Sequence, residues 1–228
     1  MRKPSNTEFK NIFNGIARDY DTISNSYVCK RRADEILSFN IGEKRILEVG
    51  AGTGTVSSFL TDRSRVVLSD ISPEMGRVAR EKLGCRTVCC DAEELPFADN
   101  SFDVIIASEM IHYLNNPEAF IAEAHRVLSP QGFLLISAAN HRVAVWYDRI
   151  RRILRILGLP RMYFDDKNRE FAKLDSLITM LRRHDFIIEK KKRIVFLPFA
   201  FCDFINRLFE RSFLEHFGLF IIIKAKKI

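Results

Sequence analysis

No stretch of this sequence is long and apolar enough for a membrane-spanning helix, which takes ~20 residues; runs such as FLLIS and LFIII end after a few positions. The first residues, MRKPSNTEFKNIF, are polar and hold no apolar secretory core, so the chain is expected to be soluble and cytoplasmic. Cysteine is sparse. The five present, Cys29, Cys85, Cys89, Cys90 and Cys202, are odd in number and form no C-x-x-C pair, so neither a disulfide framework nor a metal site is signalled and free thiols are expected. Internal repeats and low-complexity segments are also missing. So are two phosphate-binding signatures, G-x-G-x-x-G and G-x-x-x-x-G-K-[ST], which disfavours NAD and P-loop nucleotides.

What is present is enough for one domain: 228 residues, 47% of them hydrophobic, can bury a single sizeable core, with or without an appended cap. The net charge of +7 is unevenly placed, −3 over residues 1–140 and +10 over 141–228. The basic part is where an acidic partner would bind, although its charge runs, DRIRRILRILGLPR and EKKKR, equally suit a solvated face.

Short β-branched or apolar runs alternate with helical patterns, which predicts a doubly wound α/β sheet. Strands are expected at 45–49, 65–69, 85–90, 102–108, 132–138, 187–196 and 218–227, and helices near 54–62, 73–83 and 116–128. The last two strands lie close together in sequence, which predicts a mixed edge with one antiparallel strand.

The stretch ILEVGAGTG places Gly50, Gly52 and Gly54 at alternate positions directly after the first strand. A plain turn needs fewer glycines, and strand ends of such sheets are where ligands meet free backbone N–H groups. Asp70 ends the second strand 20 residues after Gly50, where a carboxylate can accept both hydroxyls of a ribose. Asp91 ends the third strand, where it can accept an adenine exocyclic amine with the Ala92 N–H facing the ring. Each aspartate alone equally suits a helix N-cap, and Asp103 a strand entry; it is the order on consecutive strands that points to a nucleoside.

The segments LEVGAGTG, LSDIS, CDAEELPF, SFDVIIASEMIHYL and HRVLSPQGFLLIS resemble the class I S-adenosylmethionine-dependent methyltransferases. The likeness is to the small-molecule, methyltransferase type 11-like group that includes quinone-biosynthesis and malonyl-carrier-protein enzymes, and it covers residues 8–140. It implies a seven-stranded, mostly parallel Rossmann-like sheet of order 3-2-1-4-5-7-6 with strand seven antiparallel. It implies S-adenosylmethionine as cofactor, held by Tyr20, Glu48, Gly50, Ala51, Gly52, Gly54, Asp70, Ile71, Met75, Asp91, Ala92 and Ser108. The turn SPQG departs from the usual KPGG, in a structural position.

Transfer of a methyl group from a sulfonium is an in-line displacement that needs alignment more than acid–base help. A general base is required only when the acceptor is a hydroxyl or a carbon acid. His112 and Tyr113 follow the fourth strand and stand as candidate base and acceptor contact; packing is the other role open to His112, and a helix cap or solvent the role expected for Glu109. FNGIARDYDTISNSY resembles the family's F-x-x-x-A-x-x-Y-D helix, which puts Tyr20 over the reacting methionine end, although Phe13, Ile16, Ala17 and Tyr20 also have the spacing of a docked apolar face. Residues 1–40 thus form an expected lid, with Arg31 and Arg32 either reaching the cofactor carboxylate or lying on a solvated face. Residues 141–180 form an expected substrate cap, in which Trp146 contacts the acceptor and the helix 143–157 sets an apolar face against arginines. That helix suits an anionic lipid surface, an acidic carrier protein or the roof of the pocket. Nineteen phenylalanines imply an apolar acceptor pocket. The expected function is methylation of a hydrophobic, lipid-like or carrier-tethered small molecule, the specific alternatives being a malonyl-carrier-protein O-methyltransferase and a quinol C-methyltransferase. A non-catalytic cofactor-binding protein is a further alternative. An RNA methyltransferase is disfavoured because SEMI replaces any N/D-P-P-[YFW] motif after strand four.

Overall fold

The computed structural model describes residues 3–41, 44–140, 143, 174–195, 200–210, 212 and 217–228. Its strands are β1 Ile46–Val49, β2 Val66–Asp70, β3 Arg86–Cys89, β4 Phe102–Ser108, β5 Leu128–Ala139, β6 Phe186–Ile194 and β7 Phe220–Lys227. They form one seven-stranded sheet in the order β3-β2-β1-β4-β5-β7-β6. The pairs from β3 to β5 are parallel, while β7 runs antiparallel to both β5 and β6. This is the expected order, with the expected mixed edge.

The helices begin where local chemistry satisfies their free N–H groups. At α1, Asn6–Ile16, Ser5 Oγ accepts from the Glu8 N–H and the Glu8 carboxylate accepts from the Ser5 N–H, a reciprocal cap. After α2, Tyr20–Ile23, the Asn25 side chain caps α3, Ser26–Leu37. Ser72 and Asn116 cap α4, Pro73–Leu83, and α5, Pro117–Val127, each with proline in the first turn. On one face of the sheet Leu47, Ile105, Leu134 and Ile136 pack with Phe120 and Ile121 of α5 and with Leu177 and Leu181 of the helix Leu174–Arg183. On the other, Ile46, Leu68, Val104 and Ile106 pack with Val28, Ala33 and Ile36 of α3 and Ala79 of α4. Burial on both faces explains why the central strands β1 and β4 read as nearly continuous apolar runs, whereas β3, at the sheet edge, is largely exposed.

The helix expected over 54–62 does not form; a short 3-10 turn, Ser57–Phe59, stands in its place. In an α-helix the Ser57 N–H would bond the Thr53 carbonyl. Here it donates instead to the buried Glu48 carboxylate at 3.0 Å, and Ser57 Oγ bonds the same oxygen. Side-chain capture of a backbone donor competes with helix propagation, and the β-branched Thr55 and Val56 offer little to counter it. Of the expected cap, the described residues include only Val143 and those from Leu174 onward, so Trp146 and nearly all of the helix expected at 143–157 lie outside them. Among the described residues no helix is long and apolar enough to cross a membrane.

Candidate functional site

A cavity opens at the C-terminal ends of β1, β2, β3 and β4, roofed by α1, α2 and the start of α3. Gly50, Gly52 and Gly54 all have positive φ, at 62°, 55° and 76°, but they are glycines for different reasons. A Cβ on Gly50 would lie 2.6 Å from Met110 Cβ, and one on Gly54 2.4 Å from Leu83 Cδ1. Gly50 is required by packing; Gly54 meets only the mobile ends of leucine side chains, so its positive φ is what calls for glycine, and it does not line the cavity. A Cβ on Gly52 would meet nothing closer than Tyr20 Cε1 at 3.8 Å and Met75 Sδ at 4.0 Å, within the cavity. Only this glycine keeps open the space that the three-glycine pattern suggested.

Asp70 stands at the end of β2 with its carboxylate held by backbone: the Gly52 N–H donates to Oδ2 at 2.8 Å and the Ser72 N–H to Oδ1 at 2.9 Å. Burial raises its pKa, and these N–H groups oppose the rise. Each oxygen keeps a further lone pair for a ligand hydroxyl. Asp91 accepts from Asn6 Nδ2 at 2.6 Å and from the Glu93 N–H at 2.9 Å. Glu48 also lines the cavity but is almost fully enclosed, and burial pushes it up to about 7 against the Ser57 and Val56 hydrogen bonds, with the Asp70 charge adding to the rise. Ala51, Ile71, Met75, Ala92 and Ser108 complete this end of the wall.

The roof is tied to the loops by side chains that the sequence pattern did not single out. Asn14 accepts from Ser72 Oγ at 2.7 Å, and Asp21 accepts from Thr53 Oγ1 and from Lys82 Nζ, both at 2.6 Å. Tyr20 lines the cavity. Tyr113 meets Phe9 and Phe13 of α1 edge-on, each with ring centroids 5.2 Å apart, so these three rings form an apolar wall. His112 is buried and is not part of that wall; its ring lies against Tyr113 with centroids 4.2 Å apart.

Of the two roles open to Arg31 and Arg32 the solvated face is corrected, and so is the expectation for Glu109. Arg31 and Arg32 are buried: Arg31 makes a two-point pair with Glu210 at 2.7 and 2.8 Å, while Arg32 lines the cavity. Glu109 is neither a cap nor solvated. It lines the cavity in the left-handed region, φ 60°, with its carboxylate 3.6 Å from Arg32. Such backbone strain in a residue with a side chain is held in place by its surroundings and clusters at functional sites. No sequence signal marks this pair, because Arg32 and Glu109 meet only through the packing of α3 beside β4.

A family model described as a methyltransferase domain matches residues 47–136. The chain is similar to an uncharacterized protein of Methanocaldococcus jannaschii, 33% identical over 226 residues covering 96% of this chain and 100% of that one. It is 30% identical over 216 residues to a demethylmenaquinone methyltransferase of Tropheryma whipplei, covering 83% of this chain and 87% of that protein. Similarity to a malonyl-[acyl-carrier protein] O-methyltransferase of Geobacter sulfurreducens is 37% over 135 residues, 54% of this chain; the match spans about half of that relative, 49%. Among solved structures, an S-adenosylmethionine-dependent methyltransferase of Thermotoga maritima shares the fold with a TM-score of 0.70 at 21% identity, over 96% of this chain and 99% of that one.

Proposed function

The chain belongs to the class I S-adenosylmethionine-dependent methyltransferases, and from that premise we propose that its cavity holds S-adenosylmethionine and passes the methyl group to a small lipid-like acceptor. The carrying observation is the Asp70 carboxylate, aimed by the Gly52 and Ser72 N–H groups beside the open space at Gly52. Asp70 would accept the ribose hydroxyls, and Asp91 with Ala92 would hold the adenine edge, with Ile71 and Met75 lining the same end of the cavity. Arg32 and Glu109, a cation and an anion 3.6 Å apart, complement the carboxylate and ammonium of the methionine end, which Tyr20 covers.

When bound there, S-adenosylmethionine supplies a methyl group on a sulfonium leaving group. The residues contribute alignment and exclusion of water: the roof closes one side, and Phe9, Phe13 and Tyr113 present an apolar wall to the acceptor. That wall suits a quinol or similar lipid-like ring, and the relative named for demethylmenaquinone, matched over most of both chains, supports the choice. A carrier-tethered acyl group is the second reading, supported by the Geobacter relative over about half its length. A product screen with labelled cofactor against quinol and carrier-protein pools separates the two.

Calorimetry with S-adenosylhomocysteine tests the site itself. Loss of a charge-assisted acceptor costs about 1.5–3 kcal/mol, so Asp70→Ala weakens binding roughly 10- to 100-fold. Unchanged affinity would overturn the assignment.

A further inference from the structure

Helix α3 carries two polar stripes with different destinations. Its cap Asn25, with Cys29 and Arg32 four and seven residues on, lines the cavity. Tyr27, Arg31 and Glu35 stand four residues apart and so share a second face. Each of these three is bound by a residue between 192 and 210. The Tyr27 hydroxyl donates to Asp203 at 3.0 Å and accepts from the fully buried Asn206 at 2.7 Å. Arg31 Nη2 donates to both oxygens of Glu210, and its Nε stands 3.4 Å from Asp203 Oδ1. Glu35 accepts from Lys192 Nζ of β6 at 2.5 Å. Asp203 and Asn206 belong to the short helix Asp203–Phe209, and Glu210 is its C-cap. Both sides of this seam lie outside residues 47–136, the part that the methyltransferase family model matches.

Glu210 is itself fixed from another side. The Val195 N–H donates to its Oε1 at 3.2 Å, from a residue in the left-handed region with φ 58°. For a buried β-branched residue that is an unfavourable backbone state, kept only where the surroundings over-determine it. A second bond, from the Leu219 N–H to the Val195 carbonyl at 2.7 Å, holds the same turn. Desolvation offsets most of the attraction in a buried ion pair, so stability alone is a weak reason for Arg31 and Glu210 to be there. We propose that Glu210 is a positioning residue for the cofactor: through Arg31 it sets the rotation of α3 and so holds Arg32 at the methionine end of S-adenosylmethionine. Arg31 and Arg32 are successive, so their side chains leave the helix about 100° apart, and a turn of α3 that loosens one displaces the other. The proposal rests on the reading that Arg32 meets that end of the cofactor, and adds the residues that keep it there.

Calorimetry of the full chain with two ligands tests it: S-adenosylhomocysteine, and 5′-methylthioadenosine, which has the same nucleoside and thioether but no amino-acid end. Arg32→Met should weaken S-adenosylhomocysteine roughly 10- to 100-fold and leave 5′-methylthioadenosine unchanged. Glu210→Gln should show the same split, with a loss of about 10-fold on S-adenosylhomocysteine alone. The double variant should bind no more weakly than Arg32→Met, because the two substitutions remove one interaction. Arg31→Lys keeps a cation beside Glu210 without the reach to Asp203, and is the milder variant should Glu210→Gln not fold; it should lose several-fold on S-adenosylhomocysteine only. Wild-type affinity for both ligands in Glu210→Gln or Arg31→Lys overturns the proposal. So does a loss shared equally by the two ligands in Arg31→Lys, which would make the pair a support of the fold alone, and so do fully additive losses in the double variant. Wild-type affinity in Arg32→Met would overturn the placing of Arg32 at the methionine end, and the proposal with it.

Discussion

Replacing Glu48 with glutamine should remove a pH-dependent cost from the fold. The buried carboxyl titrates at about 7 in place of 4.5, mainly because burial penalises its charge. A shift of that size corresponds to about 3 kcal/mol. The sign follows from which state holds the proton. Below about pH 4 Glu48 is protonated in folded and unfolded chains alike, and nothing is lost. As pH rises from about 4.5 to 7 the unfolded chain ionises while the folded one resists, so stability falls; above that both are ionised and the full cost is present. Glutamine keeps an oxygen for the Ser57 N–H and cannot ionise. Urea unfolding of both proteins from pH 4 to 8 gives the difference curve, in which carboxylates common to the two, Asp70 included, largely cancel. Glu48→Gln should gain about 3 kcal/mol on wild type across that range, most of it between pH 5 and 7. A difference that stays constant with pH would refute the claim that Glu48 is held as a buried, reluctantly ionised acid.

The glycines make a paired prediction: Gly50→Ala, forced against Met110, should lose roughly 2–4 kcal/mol of stability. Gly52→Ala should keep its melting temperature within several degrees yet bind S-adenosylhomocysteine at least ~10-fold more weakly; the reverse pattern would show that the two roles are exchanged. His112→Gln should leave turnover within ~3-fold of wild type, because the ring packs behind Tyr113; a ~100-fold loss with cofactor affinity retained would restore the histidine as base.

The strands were legible one by one from short apolar or β-branched runs, their order only through the family resemblance, and the caps Ser72–Pro73 and Asn116–Pro117 mark helix starts locally. The missing helix after the glycine loop was not legible: its propensity is ordinary, and the group that diverts Ser57, the Glu48 carboxylate, is nine residues earlier on a strand. The solvated-face alternative for Arg31 arose for a similar reason, its partner Glu210 being 179 residues away. Of the aspartates and glycines expected to face a ligand, Gly54 alone turned inward to the core. Glu109 read as a cap or a solvated residue because its left-handed backbone is a property of tertiary packing and not of the residue type.

The position of β7 between β5 and β6 dictates how the sheet is completed during synthesis. Until residues 220–227 have emerged, β5 and β6 each wait with an open edge, and neither can satisfy its ladder on that side. The waiting β6 carries Lys190, Lys191 and Lys192 in a row, charges that repel another strand, whereas FLLIS in β5 has no such guard. A nascent or truncated chain thus exposes one sticky edge, and the last strand acts as a wedge that closes it. Translation arrest before residue 220 should leave a species that depends on chaperones, even though every loop proposed to meet the cofactor has already been made.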